Sequence, residues 1–145
     1  MSVQCSEDGL FVVILAGGIG SRFWPASTPK RPKQLLALAT DSPLITDTVQ
    51  RGKEIAPTNK VRVLANARLT EAFQSLPGAL EDDVYWIEPQ AKGTCPALVW
   101  AAWSIERECP GSVMISLHSD HLIEPLDNFQ RTIAAAVELA RDREI

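Results

Sequence analysis

The residues best suited to chemistry lie between positions 15 and 34, where glycines, prolines and cations follow an apolar segment. Glycines lack a Cβ, so their backbone N–H groups can close on an anion, and neighbouring cations add attraction. This combination predicts a loop that binds a polyphosphate; a glycine-rich turn with a solvated basic flank is the alternative. The backbone of the predicted loop comprises Leu15, Ala16, Gly17, Gly18, Gly20 and Ser21, and its cations are Arg22, Lys30, Arg31 and Lys33.

Two known phosphate-binding loops differ from this stretch. The NTPase P-loop requires G-x-x-x-x-G-K-[ST], and no glycine of the chain is followed by Lys-Ser or Lys-Thr. The dinucleotide fingerprint requires G-x-G-x-x-G opening into a helix, whereas Phe23 takes the place of the third glycine. Pro25 and Pro29 also prevent a regular helix from starting directly after the glycines. Neither motif therefore describes this loop.

The overall composition favours a small anionic ligand over a nucleic acid. The 145 residues suit one domain, and the net charge of −4 argues against binding to a nucleic-acid backbone. Residues 1–10 form a polar N-terminal tail, and the apolar run that follows is too short to span a membrane. The three cysteines lack C-x-x-C spacing and indicate neither a disulfide framework nor a zinc site. A reducing, cytoplasmic setting is expected.

Strand and helix patterns alternate along the chain. Short, β-branched apolar runs predict strands at 11–16, 61–65, 84–87 and 113–117. Helices are predicted over 43–55 with Ser42 as N-cap, over 68–76, over 96–107, and onward from an Asp127 cap. This alternation predicts an α/β, Rossmann-like, mainly parallel sheet with helices on both faces. Ligands of such sheets bind at the carboxyl ends of the strands.

Three polar segments fall at those carboxyl ends, namely 17–22, 88–97 and 119–121. Asp120 directly follows an apolar strand, where it could hold Mg²⁺ together with phosphate oxygens or could simply cap a turn. Glu88 could accept hydrogen bonds from the N1–H and N2–H₂ groups of guanine, or could pair with Lys92 at the rim. The convergence of the three segments predicts one ligand site.

Three motifs carry a family resemblance. G-G-x-G-x-R-x-x-P, followed by Pro-Lys-Gln, resembles the signature of the sugar-nucleotide pyrophosphorylases. E-P-x-x-K-G-T-C-P-A and L-H-S-D-H-L-I resemble segments of the mannose-1-phosphate guanylyltransferases in particular. The chain departs from the usual family residues at Gly93, Cys95 and His118, where Asn, Ala and Pro are most common. The resemblance spans nearly everything from residue 11 onward and implies the nucleotidyltransferase fold.

This resemblance implies a reaction in which mannose 1-phosphate attacks the α-phosphorus of GTP and releases pyrophosphate and GDP-mannose. Arg22 would neutralise the leaving pyrophosphate, Lys33 would stabilise charge on the transferred phosphoryl group, and Asp120 would hold Mg²⁺. GTP and mannose 1-phosphate are the implied partners, without nucleic acid or membrane. The implied nucleotide-binding residues after the third strand are Glu88, Pro89, Lys92, Thr94 and Pro96.

Other interpretations stay open. A different sugar nucleotide, of the glucose or thymidylyl type, is one alternative, and a catalytically silent nucleotide-binding module is another. Family members continue past this point through motifs that hold the sugar phosphate and supply a second metal ligand. Residues 11–145 are therefore expected to be the nucleotide-binding part of an incomplete domain, and a homo-oligomer is left open.

Structural roles are expected for several other residues near these segments. Thr94 is expected to cap the helix over 96–107. Packing or loop hydrogen bonding, rather than ligand binding, is expected of Cys95, Trp100, Trp103, His118 and His121.

Overall fold

The computed structural model describes residues 9–18, 20, 23–28, 31–76 and 84–143. Within them, the strands are β1 (Leu10–Leu15), β2 (Val61–Ala65), β3 (Tyr85–Ile87) and β4 (Val113–His118). The helices are α1 (Leu44–Lys53), α2 (Ala67–Gln74), α3 (Thr94–Glu108) and α4 (Leu126–Arg143). Short 3₁₀ turns occupy Lys33–Leu35 and Thr58–Lys60. Of these helices, none is both long and apolar enough to cross a bilayer.

The strands form one parallel sheet in the order β3-β2-β1-β4. β1 lies between its two partners, with Val12 opposite Val61 of β2 and Leu10 opposite Val113 of β4. Because all four strands run in the same direction, their carboxyl ends lie along one edge of the sheet. The predicted α/β fold class is confirmed, and β2 has the predicted bounds.

Alternate side chains of β1 enter two apolar layers. Val12 and Ile14 are fully buried in a layer that receives side chains from α1 and α2, with Phe129 of α4 packed against it. Phe11 and Val13 are buried on the opposite face, where α3 covers the sheet. Helices therefore lie on both faces, as the period of two along a buried strand requires.

All four helix starts differ from the predictions, and α2 begins at Ala67 rather than at residue 68. Pro43, not Ser42, occupies the N-cap position of α1, and no side chain caps this helix. Helix α3 begins at Thr94 after Gly93, so Pro96 lies inside the first turn, where a missing N–H costs nothing. Thr94 is consequently the first helical residue rather than a side-chain cap. Asp127 lies in the first turn of α4, which begins one residue earlier.

The cysteines and tryptophans are placed partly against expectation. Cys109 is buried and disulfide-bonded, and the spacing of the cysteines did not indicate this bond. Cys95 is exposed and free rather than buried, in a first turn of α3 whose residues 94–96 are all exposed. Trp100 packs against the α3 layer and meets Trp86 edge to face at 5.8 Å, whereas Trp103 is 55% exposed.

Candidate active site

A cavity of about 250 Å³ opens at the carboxyl edge of the sheet. Its walls come from the ends of β1, β2 and β4, the 3₁₀ turn at Lys33–Leu35, the segment after β3 and the start of α3. The lining residues are Leu15, Gly17, Gly18, Lys33, Leu64, Glu88, Ala91, Gly93, Thr94, Ala97, His118, Ser119 and Asp120. The three polar segments singled out in the sequence therefore meet at one cavity.

Seven of the expected site residues line this cavity, namely Leu15, Gly17, Gly18, Lys33, Glu88, Thr94 and Asp120. Other expected residues are described but do not line it, namely Ala16, Gly20, Pro89, Lys92 and Pro96. Ser21, Arg22 and Lys30 lie outside the described residues, so their expected roles stay predictions. Arg31 is exposed and away from the cavity, in agreement with a solvated charge.

Lys33 and Asp120 form an ion pair across the cavity, with the Lys33 ammonium donating to Asp120 Oδ2. Their side chains are only 16% and 24% exposed. Burial raises the pKa of the Asp120 carboxyl, but the Lys33 hydrogen bond and charge, with a further contribution from His121, hold that pKa below its ordinary value. Asp120 is thus ionised at neutral pH and offers a full negative charge to a cation.

Gly20 acts on the site through the stem of Lys33. Its φ of +71° lies in the left-handed region that glycine adopts without steric cost. A Cβ at this position would lie 2.8 Å from Lys33 Cγ and 2.9 Å from Ser27 Oγ. The absence of a side chain at Gly20 therefore leaves the space that the Lys33 stem occupies.

Gln34 is a site-supporting residue that the sequence analysis left without a role. Its side chain is fully buried, and its Nε2 donates to the backbone oxygens of Ala16 and Gly18, each at 2.8 Å. Both acceptors belong to the glycine loop after β1. The available sequence signal was a polar amide placed directly before the apolar pair Leu35-Leu36.

Glu88 follows β3 at the sheet edge, where its backbone N–H donates to the Ala65 oxygen at 2.8 Å. Its carboxylate leans toward the glycine loop, since a Cβ on Gly17 would lie 3.4 Å from Glu88 Oε2. Among the described residues, no ion pair joins Glu88 to Lys92. The carboxylate therefore faces the cavity rather than a rim partner.

Arg51 of α1 anchors the segment after β4 by a hydrogen bond to its backbone. Arg51 is 8% exposed, and its Nη2 donates to the His121 backbone oxygen at 3.3 Å. Burial lowers the pKa of the Arg51 guanidinium, and the nearby carboxylates of Asp47 and Glu54 partly oppose that effect. Arg51 thus ties helix α1 to the residue that follows Asp120.

The two histidines of this segment lie with their ring centroids 5.0 Å apart, and both are exposed. His118 lines the cavity although packing was expected of it. In the described part of the chain, no group of three or more His, Cys, Asp or Glu side chains could hold a metal.

Asp120 is the carboxylate best placed for a cation. Mg²⁺ commonly takes only one or two protein carboxylates and completes its shell with phosphate and water oxygens. One ionised carboxylate beside a glycine loop therefore fits Mg²⁺ that arrives with a polyphosphate. The same donors do not fit a metal held by protein ligands alone.

Comparisons with known proteins agree with this architecture. A family model described as nucleotidyl transferase matches residues 11–145. The alginate biosynthesis protein AlgA of Pseudomonas syringae is 34% identical over 140 residues, which cover 92% of this chain and 28% of that protein. The mannose-1-phosphate guanylyltransferase of Escherichia coli K12 is 31% identical over 141 residues, covering 93% of this chain and 29% of that protein. The chain therefore spans less than a third of the length of these relatives.

The fold also matches a solved structure. The crystal structure of mannose-1-phosphate geranyltransferase from Thermus thermophilus superposes with a TM-score of 0.78 at 24% sequence identity. The match covers 90% of this chain and 38% of the other. At this level of identity, the similarity establishes the shared fold.

Proposed function

This chain belongs to the nucleotidyl transferase family, and on that premise we propose that its cavity binds GTP and that the protein transfers GMP to mannose 1-phosphate. The products are GDP-mannose and pyrophosphate. The observation that carries the proposal is the Lys33–Asp120 pair, which lies beside the glycine loop in a cavity that Glu88 also lines. A site with a cation, an ionised carboxylate and close backbone suits a nucleoside triphosphate with its metal.

In the proposed reaction, a phosphate oxygen of mannose 1-phosphate forms a bond to the α-phosphorus of GTP. The bond from that phosphorus to the bridging oxygen of the β-phosphate breaks, and pyrophosphate leaves with the electron pair. Such a displacement needs in-line placement and charge neutralisation rather than a covalent side-chain intermediate. Lys33 supplies a positive charge at the cavity wall, where charge accumulates on the phosphoryl oxygens.

Asp120 is the residue that would hold Mg²⁺, which neutralises phosphate charge and orients the triphosphate when bound. The Lys33 ammonium already pairs with that carboxylate. In the proposed complex, the Lys33 ammonium would leave this carboxylate and turn toward the phosphates. The predicted cation Arg22 would add to the same charge.

Base selection is assigned to Glu88. A carboxylate can accept two parallel hydrogen bonds from the N1–H and N2–H₂ edge of guanine, and adenine offers no such edge. The carboxylate lines the cavity and, within the described part of the chain, forms no ion pair with Lys92. We extend the proposal to residues 11–145 as the nucleotide-binding part of the enzyme, with a cytoplasmic setting.

Base selection is tested by isothermal titration with Mg²⁺ and either GTP or ATP. GTP should bind well ahead of ATP, because a site built to accept hydrogen bonds can reject an analogue that lacks the donors by up to about 10⁴-fold. Glu88→Gln should reduce this preference, whereas Glu71→Gln, at an exposed position of α2, should preserve it. Equal affinity of the unaltered protein for the two nucleotides would refute the guanylyl assignment.

Catalysis is tested by pyrophosphate release from GTP and mannose 1-phosphate. Lys33→Ala and Asp120→Asn should each lower kcat by roughly two to three orders of magnitude, the scale for losing one preorganised charge-stabilising group. His121→Gln, which changes an exposed ring near the same segment, should cost much less. Unchanged turnover in Lys33→Ala would show that the assigned role of Lys33 is wrong.

A further inference from the structure

Gln34 lies beneath the glycine loop, in the same short turn as Lys33, and Lys33 lines the cavity. Lys33 extends to Asp120, while the Gln34 side chain is 0% exposed and contacts the loop from inside. Its two amide protons are divided between two carbonyls of one loop, those of Ala16 and Gly18. One short turn thus supplies both the charge at the cavity and an internal support of the loop.

The two hydrogen bonds fix the orientation of peptide planes. In a planar trans peptide, the carbonyl of one residue and the N–H of the next point in opposite directions. Because the Ala16 oxygen is drawn to Gln34, the Gly17 N–H points away from Gln34. Gly17 and Gly18 line the cavity. Glycine peptides rotate easily, so this orientation needs an external restraint.

The buried side-chain amide of Gln34 also destabilises the fold through its oxygen. Gln34 Oε1 is buried and has no hydrogen-bond partner among the described residues. A buried polar atom without a partner destabilises the folded state, and an apolar side chain of similar size would avoid that penalty. Packing alone therefore does not explain a glutamine here, whereas its two donors do.

We propose that Gln34 is a positioning residue that holds the backbone of the glycine loop in the orientation that receives the phosphates of the nucleotide. This inference rests on the proposed function, since it presumes a polyphosphate ligand in the cavity. Gln34 acts through Ala16 and Gly18 and does not itself touch the ligand. Its contribution should grow with the number of phosphates on the ligand and vanish for a nucleoside.

The test compares Gln34→Met and Gln34→Glu with a control, Gln50→Glu, at an exposed position of α1. GTP with Mg²⁺, guanosine and inorganic tripolyphosphate are titrated into each folded variant. Both Gln34 variants should bind GTP and tripolyphosphate about ten- to a hundredfold more weakly, the scale for losing two neutral hydrogen bonds. The guanosine affinity of both Gln34 variants should stay within about twofold of that of the unaltered protein. Gln50→Glu should bind all three ligands with the affinity of the unaltered protein.

A pH series separates positioning from packing. In Gln34→Glu, a protonated carboxyl can donate one hydrogen bond to a loop carbonyl, whereas an ionised carboxylate repels the carbonyl oxygens of both Ala16 and Gly18. Its GTP affinity relative to Gln50→Glu should therefore recover as the pH falls from about 8 to about 5.5. Gln34→Met should show no such recovery, because its side chain has no proton to gain.

Three results would overturn the inference. Undiminished GTP affinity in Gln34→Met would show that the loop keeps its orientation without the amide. Global unfolding of Gln34→Met, or an equal loss for guanosine and tripolyphosphate, would assign Gln34 to the core instead. Failure of the unaltered protein to bind GTP while it binds tripolyphosphate would count against the proposed function and leave the positioning role supported.

Discussion

Substitution of Gly20 by alanine tests how closely the loop backbone and Lys33 are fitted together. Gly20 has a φ of +71°, and an alanine Cβ would lie 2.8 Å from Lys33 Cγ and 2.9 Å from Lys33 Cβ. Gly111→Ala is a matched control, because Gly111 has a φ of +75° but nothing within 4 Å of the added Cβ. The two variants therefore share the conformational strain and differ in the clash.

The expected magnitudes follow from those two terms. Left-handed backbone costs a non-glycine residue about 1–2 kcal/mol, so Gly111→Ala should lower the free energy of unfolding by about that amount. Overpacking adds about 1–3 kcal/mol, so Gly20→Ala should lower it by about 2–5 kcal/mol in total. Relief of the clash by movement of Lys33 would also weaken its pairing with Asp120 and the binding of GTP.

Urea unfolding measures the loss of stability, and isothermal titration with GTP and Mg²⁺ measures the loss of nucleotide affinity. Gly20→Ala should lose both stability and affinity, while Gly111→Ala should lose stability alone. If the two variants were equally destabilised and both bound GTP normally, the Lys33 stem would not depend on the space at Gly20, and the reasoning would be wrong.

Two further predictions concern the charges of the site. The pKa of Asp120 is lowered in the folded chain, so its stabilisation is complete above the unfolded pKa of 3.8 and is lost as the pH falls through the lower folded pKa. Acid titration of stability should accordingly be less steep below about pH 4 in Asp120→Asn, and an unchanged slope would contradict the ion pair. Arg51→Met removes a buried guanidinium that costs desolvation and also donates to the His121 oxygen. Its urea midpoint should change little while GTP affinity falls several-fold, and normal affinity would refute the support from α1.

The sheet and the location of the site could be predicted because they follow from patterns that tertiary contacts reinforce. The β-branched run of β2 is buried along its whole length and has the predicted bounds. The rule that ligands bind at the carboxyl ends of parallel strands predicted one shared site for Gly17, Glu88 and Asp120, and all three line one cavity. The bounds of β2 follow from its apolar run, and the place of the cavity follows from the direction of the strands. Neither inference depends on the details of individual side chains.

Helix starts and side-chain partners could not be predicted in the same way. Proline is tolerated throughout the first helical turn, so Pro96 did not mark the first residue of α3. Gln34 and Arg51 act by hydrogen bonds to backbone oxygens distant in sequence, and no local pattern encodes such partners. Cys109 likewise joins a disulfide that the spacing of three cysteines did not indicate.

The strand order β3-β2-β1-β4 bears on the order of events during folding. β2 reaches β1 after one helix, but β4 pairs with β1 only after β2, β3 and three helices have been synthesised, with Leu15 opposite His118. Non-local pairings form slowly because loop closure costs entropy before the contact is made. Asp120 therefore reaches Lys33 late, when β4 docks. A ligand of that pair would bind only molecules that have closed the sheet, and by mass action it would draw partly folded chains toward that state.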